Sequence, residues 1–446
     1  MDGREYARRP LTTPAELGRR IERARRAQRE WARVPLEERC AIMRRFVAAM
    51  ERMNPEIVPE LAWQMGRPVR YGGELRSLIE RVNGMIDIAP DALAPVGQSD
   101  RFVTREPAGL VLVIAPWNYP FLTAANTIVP ALIAGNAVLL KHAAQTLLAG
   151  ERFAEALAAA GLPEGLFHTL FLSHDGTARL LRSGMVDHAT FTGSVDAGRA
   201  IERAAAGSFT TLTLELGGKD PAYVREDADL AGAVESLVDG SFYNSGQSCC
   251  GIERIYVHER VWQPFLDGFV DLTRQYRLGD PFDPQTSLGP MVSAEAAARV
   301  RGRIEEALGA GAKAHIDRPL FPADDPGTAY LMPQVLTGVD HGMAIMREET
   351  FGPVVGLMPV KDDDEAVRLM NDSDYGLTAS IWTRDLEAAR RLAPQVEAGT
   401  VFANRCDHLD PHLAWTGMKH SGRGASLGLW GYGSVTRPRS FHLRSA

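Results

Sequence analysis

Long apolar runs separated by amphipathic stretches give the chain its frame. The run LVLVIA at residues 110–115 has no polar position and stops at Pro116, the pattern of a strand buried on both faces of a parallel sheet. AVLLK at 137–141 is a second such strand, and a helix over about 145–160 follows it. Strand-like runs at 188–191 and 210–214 flank a helix that starts after Ser194. Strands alternating with helices predict a doubly wound α/β sheet, the usual frame for a dinucleotide.

Before that sheet the pattern is helical. Thr13-Pro14-Ala15-Glu16 has the form of a capping box with proline at the first helical position, predicting a helix to about Trp31. A second helix starts near Pro35. Its Cys40, Met43, Val47 and Met50 recur on one face, so Cys40 reads as a packed core thiol. A third helix covers 73–88, a Pro- and Gly-bearing break follows at 90–97, and 101–107 is extended. After Leu216-Gly217-Gly218 a second unit is expected, with helices over 261–275 and 294–308 and strands at 354–359 and 380–382. The Asp- and Pro-rich segment 317–328 reads as a surface loop, and 434–443 as a last strand.

At 446 residues the chain exceeds one ordinary core, so more than one domain is expected. With 45% hydrophobic and 24% charged residues it reads as soluble and globular. A formal charge of −7 gives no electrostatic reason to bind nucleic acid or an anionic membrane, and the arginines of the first fifty residues read as solvated helix faces. The chain opens MDGREYARRP without an apolar signal core, and no run of about 18 apolar residues follows. A cytoplasmic address is the expectation. Cysteines at 40, 249, 250 and 406 make neither a disulfide framework nor a zinc spacing, and no HExxH, EF-hand loop or Walker GK[ST] is present, so no metal is expected.

Chemistry concentrates at 241–255, SFYNSGQSCCGIERI. Asn244, Gly246 and Gln247 can supply a polar turn whose backbone N–H groups face a sulfur, which makes Cys249 a candidate nucleophile beside the reading of a packed thiol. Gly193-Ser-Val-Asp-Ala-Gly198 joins a strand to a helix, where backbone N–H groups could receive a pyrophosphate. It is neither GxGxxG nor a P-loop.

Several separated segments resemble the aldehyde dehydrogenase superfamily, in family order from about Ala15 to Leu443. They are Pro116-Trp117-Asn118-Tyr119-Pro120, Phe191-Thr192-Gly193-Ser194, Glu215-Leu216-Gly217-Gly218-Lys219, Gly246-Gln247-Ser248-Cys249, Glu349-Thr350-Phe351-Gly352-Pro353 and Lys419-His420-Ser421-Gly422. The resemblance implies oxidation of a small-molecule aldehyde to its acid with NAD or NADP. Cys249 would form a thiohemiacetal and then a thioester, the Asn118 amide and the Cys249 N–H would hold the oxyanion, and Glu215 would activate the hydrolytic water. Ile114, Ala115, Pro116, Trp117, Lys141, Phe191, Gly193, Ser194, Leu216, Gly217, Glu349 and Phe351 would line the dinucleotide site. Tyr119, Thr123, Asn126, Tyr243, Ser248, Cys250 and Trp415 would face a substrate tunnel, with Cys406 near its mouth. Aromatic walls without a convergent arginine suggest an uncharged aldehyde.

The resemblance divides the chain into a dinucleotide-binding unit, 1–88 with 108–216, a catalytic unit, 217–430, and a small β oligomerisation element, 89–107 with 431–446. Family members donate the C-terminal strand to a neighbour's sheet, implying a homodimer or homotetramer. The N-terminal extension of longer members is missing, which implies a smaller assembly. Lys141-His142-Ala143-Ala144 lacks the acid that NAD-specific members carry, so NAD versus NADP is open. Segment 167–176 departs from the Gly-rich form beside the adenine, and Trp415-Thr416-Gly417 replaces Phe-Gly-Gly at the tunnel mouth. Three rivals stay open: a CoA-acylating semialdehyde dehydrogenase, which would not need Glu215; a nucleotide-independent cysteine hydrolase or esterase; and a scaffold that keeps the fold.

Overall fold

Leu110–Ala115 lies inside a six-stranded sheet, every residue buried, because a strand covered by helices on both faces has no wet side to alternate with. The computed structural model describes residues 3–444; residues 1, 2, 445 and 446, which fall in the expected first and last units, lie outside the described residues. Ala137–His142 pairs parallel on one side of Leu110–Ala115 and Phe167–Thr169 beyond it, whereas His188–Thr192 pairs on the other side with Thr211–Glu215 outside. The strand order therefore reverses between Leu110–Ala115 and His188–Thr192. Loops at the carboxyl ends of those two strands diverge there and leave a crevice.

Between Glu215 and Asp220 the chain leaves this sheet for a second, seven-stranded one. There Asp220–Val224 pairs parallel with Ile252–His258 and Thr378–Trp382, and Val354–Val360 extends the sheet beside Ile252–His258. Gly422–Arg423 then returns to the first sheet, antiparallel to Thr211–Glu215, so the chain's last part closes over Glu215. A three-stranded antiparallel sheet of Val96–Gly97, Arg101–Pro107 and Thr436–His442 stands apart.

Four local details refine the sequence reading. Thr13 caps the Pro14–Trp31 helix by accepting the Glu16 N–H at 3.2 Å, but the Glu16 carboxylate turns to Arg20, so the reciprocal half of the capping box is not made. The third helix, Leu75–Leu93, runs through Pro90, because Ala89 and Ala92 bury in the same core as Met85 and Ile86 and that packing outweighs one lost hydrogen bond. Segment 317–328 is the surface loop expected, mostly exposed, and it is fastened where Phe321 is buried and Asp324 pairs with Arg301 at 2.8 Å. The terminal strand Thr436–His442 pairs along its length with Arg101–Pro107 of its own chain.

Two histidines are buried neutral in this frame. His188 shares its ring nitrogens with Thr211 at 2.8 Å and Thr190 at 3.2 Å, and His142 reaches the Pro120 carbonyl at 3.1 Å; burial lowers both to about 4. Unfolded histidines take up protons below about 6.5 while these stay neutral, so stability falls as pH drops from about 6.5 to 4, by about 1.4 kcal/mol per pH unit for each group. Urea midpoints should decrease over that window, with a shallower slope in His188→Gln.

Candidate active site

Cys249 is delivered by an unusual turn. The helix Leu230–Phe242 ends against the core, and Asn244, Ser245 and Gly246 follow with φ of 53°, 57° and 68°. Left-handed backbone costs a side-chain-bearing residue about 1–2 kcal/mol, so these positions need fixed partners. They have them. The Asn244 amide donates to the Asn118 carbonyl at 3.1 Å and the Gln247 carbonyl at 3.3 Å, the Ser245 hydroxyl to the Gly289 carbonyl at 2.7 Å, and Gln247 Oε1 accepts the Val292 N–H at 2.9 Å. At Gly246 a Cβ would stand 2.3 Å from the Gly352 carbonyl oxygen.

Beyond the turn two cavities meet. One of about 1150 Å³ opens at the strand-order reversal; its wall includes all of Ile114, Ala115, Pro116, Trp117, Lys141, Phe191, Gly193, Ser194, Leu216, Gly217, Glu349 and Phe351, and Asn118. The other, of about 610 Å³, is walled by Tyr119, Thr123, Asn126, Tyr243, Ser248, Cys250 and Trp415. Cys249, Glu215 and Thr192 border both. The residues at this junction carry a thiol and a carboxylate.

Glu215 is 6% exposed, and burial raises its pKa, opposed by hydrogen bonds from the Ser426 and Thr192 hydroxyls and by the charge of Arg81. A buried carboxylate whose proton affinity is lifted toward neutrality can exchange a proton with water. The Asn118 amide spends one N–H on the Gln247 carbonyl at 3.1 Å, and an amide nitrogen carries two. Cys250 is buried; its hydrogen bond with Cys249 and then burial hold its thiol well above the usual range, so it stays protonated.

The larger cavity fits a dinucleotide. Ser194 ends a strand loop and caps the Val195–Ala205 helix, whose free N–H groups suit phosphate. Among the described residues half-buried Lys141 has no hydrogen-bond or ion-pair partner, and desolvation lowers its pKa. Glu349 accepts the Gly218 N–H at 3.0 Å and burial lifts it to about 8; a Cβ on Gly217 would lie 2.4 Å from its carboxylate. Trp117 and Phe351 meet edge to face with centroids 5.8 Å apart.

The aldehyde dehydrogenase family model matches residues 1–441. The chain belongs to the aldehyde dehydrogenase family. It is an enzyme of aldehyde oxidation that works with NAD or NADP. It is 35% identical to the succinate-semialdehyde dehydrogenase [NADP(+)] 1 of Mycobacterium tuberculosis over 86% of this chain and 83% of that one. It is 32% identical to the betaine aldehyde dehydrogenase of Cereibacter sphaeroides, over 99% and 92%. Among solved structures, the succinic semialdehyde dehydrogenase of Streptococcus pyogenes with NADP+ superposes with a TM-score of 0.91 at 28% identity, covering 98% of this chain and 97% of that one.

Several residues of this aldehyde dehydrogenase's site escaped the sequence reading. Glu253, within the cysteine stretch, pairs with Lys219 and accepts the Thr350 and Phe351 N–H groups at 2.9 Å, clamping the Glu349 loop. Arg81 and Asp407 both border the smaller cavity, so the expectation of a wall without arginine is corrected. Cys406 turns away: its thiol donates to the Ser236 carbonyl at 3.4 Å. Among the described residues no group of His, Cys, Asp and Glu is arranged to hold a metal, and no helix is long and apolar enough to cross a membrane.

Because the turn admits no Cβ at 246, Gly246→Ala should cost about 2–4 kcal/mol in urea unfolding. Gly302→Ala, in a helix with open space around it, should be neutral or slightly stabilising.

Proposed function

We propose that Cys249 is the nucleophile, Glu215 the general base and Asn118 an oxyanion donor in NAD(P)-dependent oxidation of an aldehyde to its carboxylic acid. The observation that carries this reading is the junction of the two cavities at Cys249 and Glu215. The Cys249 thiolate adds to the aldehyde carbon, and the oxyanion accepts from the free Asn118 N–H and the Cys249 backbone N–H. A nicotinamide held in the larger cavity would supply the acceptor for the hydride of the thiohemiacetal carbon. Glu215 then removes a proton from water, the oxygen adds to the thioester carbon, and the C–S bond breaks to return thiolate and release acid. Lys141, Ser194 and Glu349 would hold the dinucleotide, with Trp117 and Phe351 packed beside it. The same division of labour assigns the six-stranded sheet and its N-terminal helices to dinucleotide binding and the seven-stranded sheet to catalysis.

NADP is the preferred form. Among the described residues Lys141 has no carboxylate partner, and Ala143, Ala144, Gln145, Ser173 and His174, which share its cavity, carry no negative charge to repel a 2′-phosphate, while several of them can donate to it. Relatives that use NADP, the Mycobacterium tuberculosis enzyme among them, fit this preference. The carboxylate at the junction disfavours a CoA-acylating enzyme, which has no water to activate, and among the described residues no histidine bonds Cys249 to serve a nucleotide-independent hydrolase. We further assign the small β sheet to assembly as a homodimer or homotetramer through the outer edge of Thr436–His442, and free cysteines suit a cytoplasmic setting.

Absorbance at 340 nm with an aldehyde panel tests the reading. We expect turnover that Cys249→Ala abolishes, kcat/KM higher with NADP than with NAD by about tenfold or more, and loss of that advantage in Lys141→Ala, mirrored by dinucleotide binding in calorimetry. Turnover indifferent to dinucleotide or to Cys249 contradicts it.

A further inference from the structure

The smaller cavity holds polar groups that aldehyde oxidation itself does not use. Asp407 accepts the Ser248 hydroxyl at 3.0 Å and the Cys250 thiol at 2.9 Å, so its carboxylate lies beside both neighbours of Cys249. Its backbone is left-handed, φ 45°, a conformation that a fixed surrounding must impose. No ion pair meets it among the described residues, and burial pushes it up to about 7. On the same wall the buried Tyr119 hydroxyl has no hydrogen-bond partner among the described residues. A buried polar atom without a partner is uncommon, and here a ligand can supply one.

Further out, Asp239 borders the cavity, again without a cation, beside Tyr71 and Tyr243, whose rings meet edge to face with centroids 4.9 Å apart. The buried positive groups nearby are already engaged, while Arg70, over the Tyr71 ring at 5.7 Å, and Arg405 stand exposed. Arg67 pairs with Glu74. Arg81, 6% exposed, donates to the Leu122 carbonyl at 3.3 Å and Asn126 Oδ1 at 3.0 Å, and the charges of Glu74 and Glu215 act on it without an ion pair among the described residues. His408 is kept neutral by burial, and Arg76 and Glu80, of opposite sign, stand exposed at the rim. Asp407 and Asp239 are thus carboxylates on this wall without an ion pair among the described residues.

We propose that the enzyme selects an aldehyde carrying a positively charged amino group, with Asp407 as the specificity-determining residue and the Tyr119 hydroxyl as its second hydrogen-bond partner. The proposal rests on the dehydrogenase reading above. Ammonium N–H groups donate to the Asp407 carboxylate and the Tyr119 oxygen, and the tyrosine faces favour a cation passing inward. Because Asp407 touches the neighbours of Cys249, the amino group stands about two to four carbons from the aldehyde carbon. A semialdehyde ending in carboxylate meets like charge at Asp407 and Asp239. The unmet carboxylate also replaces the uncharged aldehyde suggested by the aromatic walls.

The test compares kcat/KM for 3-aminopropanal, propanal and succinate semialdehyde, with NADP, in the wild type, Asp407→Asn and Tyr119→Phe. We expect 3-aminopropanal to lead propanal by about tenfold or more, the ratio to fall near one in Asp407→Asn, and to fall by about threefold in Tyr119→Phe. A wild-type preference for succinate semialdehyde or propanal overturns the proposal and leaves the dehydrogenase reading standing. An equal loss on all three aldehydes in Asp407→Asn makes the residue architectural and overturns it too. Absence of Cys249-dependent turnover with every aldehyde overturns both.

Discussion

The site depends on one backbone constraint, the left-handed turn at Asn244, Ser245 and Gly246. It forces the chain that leaves the Leu230–Phe242 helix to double back before Cys249, which sets the thiol where the two cavities meet. Five side-chain hydrogen bonds of Asn244, Ser245 and Gln247 hold it, each worth about 1 kcal/mol net, enough to offset the cost of positive φ. One of these bonds runs to the Asn118 carbonyl, and the Asn118 amide returns to Gln247. The first sheet's crevice and the cysteine turn are thereby tied into one unit.

Buried charge does the same work elsewhere. Lys219 and Glu253 are almost wholly covered, and a pair so placed adds little net stability, because desolvation cancels much of the attraction. Its effect is positional: Glu253 fixes the Thr350 and Phe351 N–H groups, and through them Glu349 and the aromatic contact of Phe351 with Trp117. Arg67 and Glu74 act likewise, with Glu74 also accepting the Phe121 and Leu122 N–H groups at 3.1 and 2.9 Å at the start of the Pro120–Ile133 helix. Each carboxylate also holds backbone far away in sequence, Glu253 that of Thr350 and Phe351 and Glu74 that of Phe121 and Leu122.

That distance explains what was legible beforehand. The strand at 110–115 could be bounded to the residue because an unbroken apolar run has one structural meaning when Pro116 ends it. Asp220–Val224 and Ile252–His258 were not assigned, since Asp220, Glu253 and Arg254 interrupt their apolar pattern; the fold satisfies them with Thr378, Lys219 and the Leu369 and Met370 carbonyls. The motif residues gather around the two cavities, because each motif is a local turn that carries its own geometry. Asp407 and Arg81 had no such signal: one sits in a loop, the other in the Leu75–Leu93 helix outside every motif, and only tertiary packing brings them to the same wall.

The division of roles between Cys249 and Glu215 is tested most directly by intact-mass and peptide mapping of Glu215→Gln incubated with aldehyde and NADP. The account predicts one reduced dinucleotide per site, then arrest, with a single acyl group on the Cys249 peptide. Undiminished turnover, or an acyl group on Cys250, would contradict it.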